Sequence, residues 1–208
     1  MYFEGGPMRL SLTLACMLSC VSFATVPARA DGPAATPEPI AVKARSAMPV
    51  PGDLSFDLVE GETVSLADFR GKVVLVVNTA SKCGFAPQFT ELQEMSETYG
   101  REGLVILTVP SNDFRQELSS AEEAKRYCAL TFGAELPMAQ LAKVKGPQAH
   151  PFYRWMRETE GFEPSWNFNK VLLGRDGSVI ATYPASAEPL SAWMLGDVKA
   201  ALATASRG

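Results

Sequence analysis

One stretch constrains the fold more than any other: a run rich in β-branched residues leads directly into a turn that carries a cysteine. The run is residues 72–77 (Lys-Val-Val-Leu-Val-Val), and it is typical of a strand buried on both faces. The residues after Phe85 predict a helix, because Pro87 suits a first helical turn and apolar residues follow at helical spacing. Cys83 therefore lies at a strand-to-helix turn, where α/β sheets carry their chemistry.

The position of Cys83 favours a reactive thiolate. Free backbone N–H groups at the start of the predicted helix and the neighbouring Lys82 both stabilise the charged sulfur. The alternative is a structural cysteine in the core, because free cysteine is among the most buried residue types. A core cysteine belongs within the strand, whereas Cys83 follows its end.

The rest of the pattern predicts one small α/β domain that becomes ordered near Leu54. The first half should contain a hairpin over residues 54–66, the strand over 72–77, the helix after Phe85 and a buried strand over 104–109. A helix then runs from the capping-box pattern at Ser119 and Ser120 to about Thr131, and another covers residues 147–158. The last elements are a hairpin with strands over 171–173 and 179–183 and a helix over 188–204. This order describes a thioredoxin-like fold, a mixed central sheet with helices on both faces.

Residues 1–30 predict an N-terminal extension followed by a secretory signal peptide. Met8-Arg9 opens a short basic segment, an apolar run covers residues 10–26, and Ala28-Arg29-Ala30 supplies a small-residue cleavage pattern. The apolar run is short for a membrane span, and an uncleaved anchor is the alternative. We therefore expect a secreted or periplasmic protein that starts near Asp31 and has no membrane contact after cleavage.

Residues 31–51 are rich in proline and alanine without periodicity, which indicates a flexible tether before a folded domain over residues 52–208. The formal net charge of −4 offers no basic excess for nucleic acid or an acidic lipid surface. Signal removal leaves two cysteines, Cys83 and Cys128, in a compartment that permits disulfides.

The residues around Cys83 restrict its chemistry. A dithiol oxidoreductase of the Cys-x-x-Cys type has a second cysteine where this chain has Ala86. The only histidine, His150, precedes Pro151 at a predicted helix start, where packing or capping is the usual role. One histidine and two separated cysteines supply no closed metal site, and we expect no cofactor. A lone activated thiolate suits attack on a small neutral electrophile such as a peroxide.

Four stretches resemble the glutathione peroxidase family in its cysteine form. They follow the family's order and cover nearly all of the chain from Pro51 on: residues 78–85 (Asn-Thr-Ala-Ser-Lys-Cys-Gly-Phe), 110–117 (Pro-Ser-Asn-Asp-Phe-Arg-Gln-Glu), 146–151 (Gly-Pro-Gln-Ala-His-Pro) and 166–170 (Trp-Asn-Phe-Asn-Lys). The resemblance implies an antioxidant enzyme that reduces hydrogen peroxide or organic hydroperoxides through a sulfenic acid on Cys83. It also implies a thioredoxin-like protein or glutathione as the reductant.

The resemblance further implies that Gln116, Trp166 and Asn167 complete a catalytic tetrad with Cys83. Amide and indole N–H groups can stabilise a thiolate and a leaving oxygen without titrating themselves. The loop that carries Gln116 is one residue shorter than is usual in the family, and Leu118 stands where proline is usual. The aim of the Gln116 side chain therefore depends on how this shorter loop folds.

Cys128 lies on the predicted helix where family members reduced by thioredoxin-like proteins carry a resolving cysteine. The alternative is an inert core thiol, because Cys128 follows Ala124 by four residues on an apolar face. Resolution requires this helix to open partly, since a disulfide needs Cα atoms within roughly 7 Å. Residues 159–165 lack the insert of tetrameric members, so a monomer is expected.

Two other functions remain open from the sequence alone. A thioredoxin-like thiol-disulfide protein is disfavoured by Ala86. A non-enzymatic secreted binding domain is disfavoured because the four stretches occur together.

Overall fold

The computed structural model describes residues 49–205, so the predicted signal peptide and most of the predicted tether lie outside the described residues. The strands are β1 (Ser55–Asp57), β2 (Thr63–Ser65), β3 (Val73–Thr79), β4 (Leu104–Pro110), β5 (Lys170–Leu173) and β6 (Val179–Tyr183). The helices are α1 (Gln88–Tyr99), α2 (Ala121–Phe132), α3 (Pro151–Trp155) and α4 (Ala192–Ala203), and α3 continues into a π-helical turn at Met156–Glu160. None of the helices among these described residues is both long and apolar enough to cross a membrane.

The central sheet is mixed and has the strand order β4-β3-β5-β6. β3 and β4 run parallel, whereas β5 is antiparallel to both β3 and β6. Thr79 pairs with Pro110, and Val77 pairs with Lys170, so the ends of β3 and β4 and the start of β5 lie at one edge of the sheet. The three segments that follow or precede these strands therefore meet at that edge.

Helices cover both faces of the sheet, as the sequence predicts. Every residue of β3 is buried, because successive side chains of a strand point to opposite faces and each face is packed against a helix. One apolar cluster joins the odd-numbered residues of β3 to α1, α2 and α4, and includes Val73, Leu75, Val77, Phe89, Leu92, Met95, Ala124, Cys128, Met194 and Val198. A second cluster joins the even-numbered residues of β3 to α3, and includes Val74, Val76, Phe152, Tyr153 and Met156.

Three predicted boundaries need correction. The helix expected over residues 147–158 begins at Pro151, because the residue before a proline is disfavoured in helical conformation, and His150 caps it instead. The last helix begins at Ala192 rather than at 188, where the Ser191 hydroxyl accepts the Met194 N–H and caps the first turn. The folded region also begins before residue 52, since Val50 is buried and its N–H donates to the Gly177 carbonyl.

Candidate active site

Cys83 lies in the turn between β3 and α1, as predicted, and its side chain is 5% exposed. The Phe85 N–H donates to Sγ over 3.5 Å, and the Ala86 N–H closes the turn by donating to the Cys83 carbonyl over 2.9 Å. A backbone N–H that points at the sulfur is a preorganised hydrogen-bond donor to it. The turn therefore places one backbone N–H at the sulfur.

Gln116 and Asn167 are brought together at this edge of the sheet. The Asn167 Nδ2 donates to Gln116 Oε1 over 3.0 Å, and Asn167 is completely buried. The Gln116 carbonyl also accepts the N–H of Lys82, so the Gln116 loop contacts the Cys83 turn directly. Because its Oε1 is engaged by Asn167, Gln116 retains its own amide N–H groups as donors.

The shorter loop still directs Gln116 towards Asn167. Arg115 adopts a left-handed backbone conformation with φ of 60°, which turns the chain within fewer residues. Asp113 anchors the loop, since its Oδ2 accepts the N–H groups of Val144 (2.7 Å) and Lys145 (3.1 Å). The shortened sequence is therefore compatible with the amide pair.

Trp166 lies at the surface rather than in the core, with 41% of its side chain exposed. Its ring packs at 5.3 Å against the ring of Phe114, which belongs to the Gln116 loop. Its backbone is held from both sides: Asn169 Oδ1 accepts the Trp166 N–H, and Asn78 Nδ2 donates to the Trp166 carbonyl. Within residues 49–205, neither Trp166 nor the amide pair makes a hydrogen bond to Sγ of Cys83.

Sequence reasoning missed Glu117, a buried carboxyl group beside the Cys83 turn. It is 8% exposed, and its Oε1 accepts the N–H groups of Ser81 (3.0 Å) and Leu118 (2.8 Å). Burial raises the pKa of Glu117, while the Ser81 contacts and the nearby Lys82 act in the opposite direction. A Gln-Glu dipeptide in a polar loop gives no signal of burial, because burial here depends on a segment far away in the sequence.

Cys128 lies on the buried face of α2. It is 1% exposed, shares an apolar cluster with Cys83, and both thiols are free. Burial, followed by the charge of Glu117, raises the pKa of Cys128 to about 12, whereas the Ser81 hydroxyl lowers it. In this state Cys128 is a protonated thiol with little nucleophilic character.

Two other titratable side chains make contacts that support the fold. His150 Nδ1 accepts the Phe152 N–H and the ring stacks on Phe56 at 4.3 Å, so the capping interpretation is confirmed. Lys170 was missed by the sequence reasoning: it is fully buried, and its Nζ donates to Gln88 Oε1 and to the Ala187 carbonyl. Among the described residues no group of three or more His, Cys, Asp or Glu side chains could hold a metal ion.

Comparison with known proteins shows similarity over most of the described chain. The family model described as glutathione peroxidase matches residues 53–157. A glutathione peroxidase from Lactococcus lactis subsp. cremoris is 45% identical over 142 residues, which are 66% of this chain and 90% of the relative. A hydroperoxy fatty acid reductase, gpx1, from Synechocystis sp. is 37% identical over 146 residues, which are 65% of this chain and 86% of the relative.

Solved structures confirm the predicted thioredoxin-like fold. The crystal structure of Trgpx in apo form has a TM-score of 0.59 and 31% identity, and the match covers 74% of this chain and 97% of that one. A putative thiol:disulfide interchange protein, DsbE, from Chlorobium tepidum has a TM-score of 0.53 at 20% identity, covering 72% and 93% of the two chains. The latter similarity concerns the fold alone.

Proposed function

The chain belongs to the glutathione peroxidase family and is a thiol peroxidase, and we propose that Cys83 is the residue that attacks the peroxide. One observation carries the proposal: Cys83 lies in a tight turn with a backbone N–H on its sulfur, and Gln116, whose side chain is bonded to Asn167, holds the same turn through its backbone carbonyl, which accepts the Lys82 N–H. Three of the four stretches of the sequence resemblance contribute a residue to this edge of the sheet, namely Cys83, Gln116 and Asn167. His150 lies outside this arrangement as a helix cap.

The chemistry is a two-electron displacement at oxygen. The Cys83 thiolate attacks the peroxide oxygen, the O–O bond breaks, and sulfur becomes a sulfenic acid while the other oxygen leaves as water or an alcohol after protonation. Gln116, Asn167 and Trp166 supply N–H donors that do not titrate, so they can stabilise the charge that develops on the leaving oxygen.

The substrates are hydrogen peroxide and organic hydroperoxides. The similarity to a hydroperoxy fatty acid reductase supports the organic class. The paired rings of Trp166 and Phe114 add an apolar, partly exposed surface beside the Gln116 loop, where the hydrocarbon part of such a substrate can lie.

Cys128 is the resolving residue in this proposal, and a thioredoxin-like protein or glutathione is the reductant. The support is that Cys128 and Cys83 share one apolar cluster, with Cys128 on the helix that follows the Gln116 loop. Attack of the Cys128 sulfur on the sulfenic acid gives a disulfide and water, and the reductant then returns both thiols.

The place of action follows from the N-terminal sequence. We propose a secreted or periplasmic monomer, supported by the signal-peptide pattern of residues 1–30 and the short segment over residues 159–165. An oxidising compartment fits a chain whose mature part keeps two cysteines that can pair with each other.

The test of the peroxidatic role is Cys83→Ser, since a serine hydroxyl is nearly isosteric but a far weaker nucleophile near neutral pH. Stopped-flow measurement of peroxide consumption should show loss of activity to below roughly a hundredth of wild type, the scale on which covalent and acid–base catalysis act. Cys128→Ser is the matched control and should still consume one equivalent of peroxide per protein. Residual turnover of Cys83→Ser above about a tenth of wild type would assign the attack to another residue.

The donors can be tested in the same assay. Gln116→Ala and Trp166→Phe should each slow the peroxide step by about tenfold or more, because each change removes one donor to the transition state. Gln93→Ala is the matched control for the glutamine, since Gln93 lies on α1 and its side-chain amide bonds to Glu97 and to the Glu135 N–H. A Gln116 variant that behaves like the Gln93 variant removes Gln116 from the site and leaves Cys83 in place.

A further inference from the structure

Three buried polar side chains from three separate segments meet behind the Cys83 turn. Ser81 belongs to the turn, Glu117 to the loop after β4, and Cys128 to α2. Their side chains are 2%, 8% and 1% exposed, respectively. The group links the segment that carries the peroxidatic cysteine to the helix that carries the second cysteine.

The hydroxyl of Ser81 is the unexplained member of this group. No hydrogen bond of ordinary geometry reaches its Oγ within the described part of the chain. The Ser81 N–H donates to Glu117 Oε1 over 3.0 Å, which fixes Ser81 beside the buried carboxyl group, and the Ser81 hydroxyl lowers the pKa of both Glu117 and Cys128. A buried hydroxyl without a partner is destabilising, so its position between a carboxyl group and a thiol calls for a functional explanation.

Resolution of the sulfenic acid poses a proton problem at Cys128. Thiolate is the attacking species in thiol–disulfide chemistry, but burial raises the pKa of Cys128 to about 12. The proton must therefore leave during the attack. Glu117 is the titratable group that acts on Cys128, and its own pKa is raised by burial, which makes it a better base.

The other charged and titratable groups around this cluster are few. Lys82, on the turn, lowers the pKa of Glu117 by its positive charge. Cys83 shares the apolar cluster with Cys128, and the remaining members of that cluster from α1 and α4 are apolar, among them Phe89, Leu92, Met194 and Val198. Glu117 is thus the one acceptor among these groups for the Cys128 proton.

We propose that Glu117, acting through the hydroxyl of Ser81, accepts the proton of the Cys128 thiol as this sulfur attacks oxidised Cys83. The inference rests on the proposed resolving role of Cys128. Glu117 acts on one reacting residue through another, so it is a positioning and proton-accepting residue rather than a group that touches the peroxide.

The step is balanced in atoms and electrons. The Cys128 S–H bond and the Cys83 S–O bond break, and the S–S bond forms. The thiol proton passes to Ser81 Oγ while the Ser81 proton passes to Glu117, and the hydroxide that leaves Cys83 takes a proton from Glu117 to become water. Cys83 sulfur is reduced, Cys128 sulfur is oxidised, and Glu117 returns to its carboxylate form.

The competing explanation predicts the opposite effect of removing the Glu117 charge on the rate of attack by Cys128. Glu117 as a fixed negative charge simply keeps Cys128 protonated, because a like charge disfavours the thiolate. Removing that charge would then speed the attack by Cys128. A proton acceptor, by contrast, slows the attack when it is removed.

The test is the pH dependence of disulfide formation after one equivalent of hydrogen peroxide is mixed with the reduced full chain. Acid quenching and mass spectrometry give the rate of the Cys83–Cys128 disulfide between pH 5 and 9. In wild type the rate should rise as Glu117 ionises and then level off. In Glu117→Gln and in Ser81→Ala the rate at pH 7 should fall at least tenfold and then climb about tenfold per pH unit, because only free thiolate can attack.

Glu117→Gln keeps an oxygen that can accept the Ser81 N–H, and Ser81→Ala leaves the hydrogen bonds of Glu117 in place. The two variants therefore interrupt the relay at different atoms and disturb the local structure in different ways. Glu123→Gln, an exposed carboxyl change on α2, is the matched control and should follow the wild-type profile. Unchanged or faster resolution in both variants overturns the relay while leaving Cys128 as the resolving residue. A wild type that forms no Cys83–Cys128 disulfide overturns the resolving role and the relay together.

Discussion

Lys170 is the least expected side chain at the residue scale, because an amine of this size is rarely enclosed by protein. Its Nζ donates to Gln88 Oε1 over 2.6 Å and to the Ala187 carbonyl over 2.7 Å, and both acceptors are uncharged. Burial lowers the pKa of Lys170 to about 7, although the charge of Glu91 acts in the opposite direction. The free-energy cost of burying the charged amine therefore exceeds the stabilisation that the two neutral acceptors and Glu91 provide.

The consequence is a pH-dependent stability. Between pH 7 and the pKa of an unfolded lysine, the unfolded chain binds a proton that the folded chain does not, so the free energy of unfolding should rise with pH. Urea unfolding at fixed ionic strength should give an increase of about 1.5 kcal/mol between pH 7 and 8.5, since one pH unit corresponds to at most 1.36 kcal/mol per proton.

Lys170→Met is the paired variant for this measurement, and its stability should be flat over the same interval. The interval stops at pH 8.5 because the unfolded Cys128 thiol begins to ionise near pH 9, and that ionisation lowers stability. His150 titrates below the interval, because burial lowers its pKa. A wild type with the same flat profile as Lys170→Met would mean that Lys170 stays protonated in the fold.

These residues also show how far sequence reasoning reaches. Cys83, Gln116 and Asn167 could be placed at one sheet edge, because strand ends and loop order fix that edge. Ser81, Glu117 and Lys170 could not be identified as buried, because their burial depends on contacts between segments 36 to 82 residues apart. Nothing in the local pattern of these polar residues differs from that of a solvated loop.

Among the helices, α2 is distinguished by the small size of the side chains that it buries. Its buried residues are Ala121, Ala124 and Cys128, whereas α1 buries Phe89, Leu92 and Met95 among others. Full burial of a large apolar side chain contributes roughly 1.5–3 kcal/mol, and a methyl side chain contributes much less. α2 is therefore held to the domain more weakly than α1.

Weak docking of α2 suits the movement that disulfide formation requires. Hydrogen exchange should show that peroxide treatment of wild type lowers the protection of α2 amides by about tenfold or more, while α1 amides keep theirs. Cys128→Ser should show no such change, because its sulfenic acid has no sulfur on α2 to bond. Equal protection of α2 before and after oxidation, with the disulfide present, would mean that the two sulfurs meet without opening the helix.

Helix ends are predictable where the sequence contains a recognisable capping residue. α2 begins after Ser120, whose hydroxyl accepts the Glu123 N–H over 3.2 Å, and ends at Phe132, within one residue of the predicted end. The starts of α3 and α4 were predicted too early, because apolar periodicity extends into turns that Pro151 and Ser191 terminate. Periodicity locates a helix, whereas caps and prolines locate its first residue.

At the scale of the whole domain, the fold is shared with dithiol proteins while the second sulfur lies at a different position. Its fold is shared with thiol:disulfide interchange proteins at about 20% identity. Ala86, which is 3% exposed, occupies the position of the second cysteine in a Cys-x-x-Cys motif, and the second thiol of this domain lies instead on α2. A sulfenic acid on Cys83 therefore has two routes to reduction: attack by Cys128 from within the domain, or attack by a small thiol from outside.

These routes predict a split between reductants. Cys128→Ser should lose turnover supported by a thioredoxin-like protein, because that protein reduces a disulfide that the variant does not form, but it should keep part of its turnover with a small thiol that attacks Cys83 directly. Steady-state peroxide consumption with each reductant measures the split, and the variant should also over-oxidise at high peroxide, seen by mass spectrometry as added oxygen on Cys83. Wild type serves as the reference, with a Cys83–Cys128 disulfide and no added oxygen at low peroxide. Equal loss with both reductants would show that Cys128 supports the peroxide step itself, and equal retention would make Cys83 the sole redox-active residue.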